Sequence, residues 1–168
     1  MKKKTQINIF SENIHKLIKI DEKKAIQVAK KLLNHFLNTE NILKDSCLSS
    51  ADFDCISFDI LYCDSDKTLE INKDYREKDY PADIITFAIF ADSDEKFIFD
   101  GEINLGEIII SLDKVSENAK EKNTSDTDEL YFLISHGIMH LLGFDHHTIE
   151  EYNFIVEAQN TALKKIRD

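Results

Sequence analysis

Hydrophobic positions along the chain alternate between two spacings, and each change of spacing marks an element. Thr5–Phe10 alternates in the manner of a strand. From Asp21-Glu22 the period lengthens. Ile26, Ala29, Leu33 and Phe36 recur at three and four, which predicts a helix to Phe36 or Leu37 with two acids at its positive end. Phe53–Cys63 returns to period two, with Ile56, Phe58, Ile60 and Tyr62 facing one way and Ser57, Asp59 and Leu61 the other. Lys67–Glu77 reads as a short helix that stops before Pro81. Ile84–Ala91 is almost wholly apolar or β-branched, which predicts a central strand buried on both faces, and Glu107–Ser111 predicts a second. Helices are expected over Ser111–Lys122, Asp126–Leu142 and Thr148–Lys165, the second capped by Asp126 or Asp128. Few strands among many helices imply an α+β fold: one compact domain over residues 1–168, with a small mixed sheet and helices packed on it.

Composition is compatible with that single domain. The apolar fraction is 42%, with eleven Phe and five Tyr, while four Gly and one Pro leave little room for linkers. No apolar run approaches the roughly 18 residues needed to span a bilayer, so no membrane association is expected. After the basic Met1-Lys2-Lys3-Lys4 the chain alternates like a strand and gives no signal-peptide core. Cys47, Cys55 and Cys63 are odd in number and spaced by eight, which suits packing in a reducing, cytoplasmic setting better than a disulfide framework or a metal knuckle.

Charge changes the picture in one respect. A net charge of −11 argues against a general nucleic-acid binder, yet residues 1–44 carry ten Lys and four acids, leaving −17 for the remainder. On the first helix Lys23 and Lys30 are seven apart, as are Lys24 and Lys31, so each pair shares a face. A polyanion would approach along it.

The chemistry concentrates in His136-Gly137-Ile138-Met139-His140-Leu141-Leu142-Gly143-Phe144-Asp145-His146. His136 and His140 sit one turn apart on the same helix flank, a spacing that lets two imidazoles grip one ion. Gly143 falls where the helix should end and permits a left-handed turn, after which His146 or its neighbour His147 can return as a third ligand. Three imidazoles with a position left open describe a catalytic zinc site. Two histidines on an apolar helix can also be mere core residues. Against this, four of the six histidines fall within the twelve positions from His136 to His147. Asp145 reads either as a carboxylate orienting an imidazole or as an acid ahead of the last helix.

This segment resembles the H-G-x-x-H-x-x-G-x-D-H signature of the YbeY family of bacterial rRNA-maturation endoribonucleases. Two further stretches agree in order and spacing. Asn72-Lys73-Asp74-Tyr75-Arg76 with Asp79-Tyr80-Pro81-Ala82-Asp83-Ile84-Ile85-Thr86-Phe87 looks like the family's "N-x-x-Y-R…P-T-D-V-L-S-F", and Leu105–Ser111 like its "L-G-D-I-x-I-S" strand. Ala82 departs from the usual Thr and loses a hydroxyl, while Thr86 for Ser and Glu107 for Asp keep the chemistry. The resemblance implies one zinc ion per chain, with His146 rather than His147 as third ligand, and Arg76 in the place of the family's essential arginine. It implies a single-strand-specific endoribonuclease acting in late-stage 70S ribosome quality control and in maturing the 3′ end of 16S rRNA. The implied partners are rRNA and the small subunit, one of its ribosomal proteins and the Era GTPase.

Arg76 would hold the charge that builds on a phosphate during cleavage, and Asp83 would position Arg76 or cap a turn. Two other readings compete. The ligand spacing matches the metzincin peptidases, but Gly137 stands where those enzymes place their glutamate base. In the other, zinc serves only to hold the fold of a non-catalytic ribosome-assembly factor.

Overall fold

The computed structural model describes residues 4–167. The elements are β1 (Gln6–Asn13), α1 (Glu22–Leu37), α2 (Glu40–Asp45), β2 (Cys55–Cys63), α3 (Ser65–Arg76), β3 (Ile84–Phe87), α4 (Ile89–Asp92), β4 (Glu102–Ser111), α5 (Leu112–Glu121), α6 (Asp126–Leu141) and α7 (Ile149–Arg167). The strands run in the order β1-β2-β4-β3. The first three are parallel and β3 is antiparallel on the edge, which is the small mixed sheet of an α+β fold.

Period-two patterning decides which face each residue serves. Ile56, Phe58, Ile60 and Tyr62 of β2 and Ile108 and Ile110 of β4 are buried together with the apolar stripes of α1, α6 and α7. The opposite face is thinner: Cys63, Ile71, Ala82, Ile85 and Ile109 form a separate small cluster in which α3 covers the sheet. Ala82 sits in that cluster, so its methyl replaces a family hydroxyl with packed apolar surface.

Two strand expectations are corrected. Ile84–Ala91 is neither central nor one strand. β3 holds four residues on the sheet edge, after which the chain turns into α4, and Ile89 is exposed. Lys96 closes the far end of that helix, where its Nζ donates to the carbonyls of Phe90, Ala91 and Ser93 at 2.6, 2.8 and 2.9 Å. The inner positions belong to β2 and β4, and β4 starts at Glu102 rather than Glu107 and passes through an irregularity in its pairing with β2. α6 is capped by Ser125, whose Oγ accepts from the Asp128 N–H at 3.0 Å, and not by Asp126 or Asp128.

α6 lies close on the sheet because Gly137 has no side chain. A Cβ there would come within 2.8 Å of the Ile108 side chain, itself fully buried in β4. This glycine therefore sets the depth at which the histidine helix rests on β4.

Candidate metal centre

α6 ends in a Schellman turn. The N–H of Gly143 donates to the His140 carbonyl at 2.9 Å, and that of Phe144 reaches back to Met139 at 3.1 Å. Gly143 takes φ +95°, a conformation only glycine adopts freely, as its position in the sequence predicts. The loop after α2 seals this end, with the Cys47 N–H on the Leu142 carbonyl at 2.9 Å. The turn brings His146 back over the helix. The ring centroids of His136, His140 and His146 lie 4.5, 5.4 and 5.2 Å apart, and one nitrogen from each ring falls within 4.8 Å of the others. Nε2 of His136 and Nε2 of His140 are 2.9 Å apart. Two nitrogens each about 2.1 Å from a tetrahedral ion stand about 3.4 Å apart, so a small adjustment admits one. The three histidines could thus hold a metal ion. His147 is exposed, and its backbone N–H is spent on the Glu151 carboxylate at 2.7 Å.

Burial governs the electrostatics. It depresses the His136 imidazole below its ordinary value, partly opposed by a hydrogen bond to Gln159. Burial, followed by the neighbouring His136 and His146 rings, holds His140 down at about 4. Both rings are therefore neutral at neutral pH, the state a metal ligand requires. Asp145 stands beside the pair, with Oδ1 3.5 Å from Nδ1 of His140 and Oδ2 3.7 Å from Nε2 of His147.

These rings open onto a cavity of about 690 Å³ whose other wall comes from the α3–β3 region: Arg76, Tyr80 and Asp83. Arg76 is exposed at the end of α3, and its Nη1 donates to Oδ1 of Asn72 at 3.3 Å. Asn72 is fully buried and also donates to the Tyr80 carbonyl at 2.8 Å, tying the arginine to the loop that leads into β3. Asp83 does not reach Arg76. It accepts from its neighbour's N–H at 2.8 Å and from Asn118 Nδ2 at 3.0 Å. Lys23, Lys24, Lys30 and Lys31 are exposed on α1 and do not line this cavity. Sequence reading placed Asn72 in a motif without giving it a role, and missed Asn118 and Gln159. Gln159 is fully buried on α7, with its Oε1 3.1 Å from Nδ1 of His136.

An α+β fold in which a helix and its C-terminal turn converge three imidazoles on an open cavity defines a class of protein whose histidines could hold a metal ion. A family model for endoribonuclease YbeY matches residues 10–167, and the chain belongs to that family. An endoribonuclease YbeY from Malacoplasma penetrans is 36% identical over 158 residues, covering 94% of this chain and 92% of the relative. One from a Geobacillus strain is 36% identical, covering 85% and 87%, and one from Lachnoclostridium phytofermentans is 32% identical, covering 80% and 92%. The fold is shared with the solution structure of TM1509 from Thermotoga maritima at a TM-score of 0.56 and 22% identity, over 96% of this chain and 92% of that one. Among the described residues no helix is long and apolar enough to cross a membrane.

Proposed function

We propose that this chain is a zinc-dependent, single-strand-specific endoribonuclease that binds one zinc through His136, His140 and His146. In this reading it acts in the cytoplasm on the 3′ end of 16S rRNA and in late-stage 70S ribosome quality control, and it meets the small subunit together with one of its ribosomal proteins and the Era GTPase. The observation that carries the proposal is the convergence of three imidazoles on a cavity whose facing wall offers Arg76, in a chain whose relatives are named endoribonucleases. A bound divalent metal would supply Lewis-acid polarisation and activation of water.

The chain's own residues supply the rest. Neutral His136 and His140 need shed no proton to ligate. The Arg76 fork is shaped to hold two oxygens of a phosphate, and Asn72 restrains it from within the fold. A peptidase is disfavoured by more than a missing carboxylate, since the face of α6 at Gly137 is pressed against Ile108 and has no room for one.

The test is to incubate purified protein, Arg76→Ala and His140→Ala with small-subunit rRNA precursor, with and without ribosomes. Cleavage by wild type alone is expected. Zinc-loaded wild type that leaves rRNA intact yet cosediments with small subunits would make it an assembly factor. Chelator-sensitive cleavage of casein would restore the peptidase reading.

A further inference from the structure

The buried carboxamide of Gln159 is held by contacts that leave it only one orientation. Its Nε2 donates to the Phe132 carbonyl at 3.1 Å and to Ser135 Oγ at 3.0 Å, while the Ser135 hydroxyl is itself spent on the Phe132 carbonyl at 2.7 Å. A carbonyl oxygen can only accept, so the NH₂ end of Gln159 must face Phe132. A flipped amide would set two oxygens against each other inside the core and leave both without a donor. The oxygen of Gln159 is thereby pointed at Nδ1 of His136, 3.1 Å away, and an oxygen there needs a hydrogen on that nitrogen.

We infer that Gln159 is a positioning residue for the metal: it fixes His136 in the tautomer protonated on Nδ1, so that the Nε2 lone pair faces the cavity before any ion arrives. Neutral imidazole in water prefers its proton on Nε2, so this state has to be imposed. The device spans α6 and α7, and it locks the ring's rotation as well as its proton.

The inference rests on the reading that these histidines hold a metal, and it does not depend on what the protein cleaves. The experiment is long-range proton–nitrogen NMR of the metal-free protein, with chelator-competition measurement of zinc affinity, on wild type, Gln159→Met and Gln159→Glu. Wild-type His136 should show the Nδ1-protonated pattern. Gln159→Met, close in shape but with no acceptor, should move the proton to Nε2 and weaken zinc about 10–100-fold. Gln159→Glu keeps an acceptor towards His136 and should restore both the tautomer and the affinity in its neutral, protonated form, whose O–H replaces the donor lost to the Phe132 carbonyl. A His136 protonated on Nε2 in wild type overturns the proposal, whether or not either variant folds. So does a folded Gln159→Met with unchanged tautomer and affinity. Failure of wild type to bind zinc at all would instead overturn the metal reading.

Discussion

Arg76 and His140 make opposite demands on their surroundings, and each demand gives a prediction. Arg76 must stay charged and keep its fork, and it is exposed with one restraint from Asn72. Arg76→Lys retains the charge and loses the planar donor pair. RNA cleavage is expected to fall by about 10²–10³ while zinc content, read by metal analysis, stays at wild type. His140 must stay neutral, and its surroundings hold it at about 4 against an ordinary 6.5. The unfolded chain takes up a proton near the ordinary value that the folded chain refuses until far lower pH. The metal-free protein therefore has its full stability above about pH 6.5 and loses it as the pH falls from there towards 4. Urea midpoints of chelator-treated protein should trace this decline, and His140→Ala should flatten it. A midpoint that is constant across the window would show that burial does not act on this ring as described.

α6 and the turn that ends it carry the site, and both depend on glycines for different reasons. Gly137 is a matter of space. Gly137→Ala puts a methyl against Ile108 in a packed core, and overpacking of this kind costs about 1–3 kcal/mol, to be read from denaturant unfolding. Gly143 is a matter of backbone, since a Cβ there would meet Ala91 and Cys47 only at ordinary contact distances and φ +95° is the obstacle. Gly143→Ala should lower stability by about 1–2 kcal/mol and weaken zinc binding as well, because His146 is delivered through that turn. His136, His140 and the turn were legible in the sequence because they lie within one helical spacing and one glycine, whereas spacing left His146 and His147 open and the family resemblance favoured His146. Gln159 was not legible: it meets His136 only because α7 packs on α6, and no local pattern announces such a meeting. Asn118 likewise reaches Asp83 across thirty-five positions. The β3–α4 error has a similar origin. The β-branched residues of Ile84–Ala91 read as strand throughout, while the lysine that caps the end of α4, Lys96, lies five residues beyond the run.

Across the whole molecule, an acidic protein must still admit a polyanion, and the disposition of its cations indicates where. The metal cavity shares Lys122, Phe132 and Tyr152 with a second groove that continues to Lys164 and Arg167 at the end of α7. The α1 lysines form a separate exposed face, with Lys30 and Lys31 beside Lys4 and Gln6. A single strand seated in the cavity would leave it along the shared groove. Lys164→Glu with Arg167→Glu is therefore expected to weaken RNA binding and flatten its salt dependence more than reversal of Lys23, Lys24, Lys30 and Lys31. The opposite ranking in a filter-binding series would move the approach to α1. A last consequence follows from the Schellman turn and its three histidines. Because the ligands span only eleven consecutive residues, bringing them together in a disordered chain closes a very short loop and gives up little entropy. The unfolded protein can then retain metal, and an ion held by both states stabilises neither fully against the other. Zinc should raise the melting temperature by less than its affinity for the folded protein implies, and a peptide covering residues 126–148 should still bind the ion, though more weakly for want of α7. This stretch can thus capture its metal before α7, the helix that orients His136, has docked on α6.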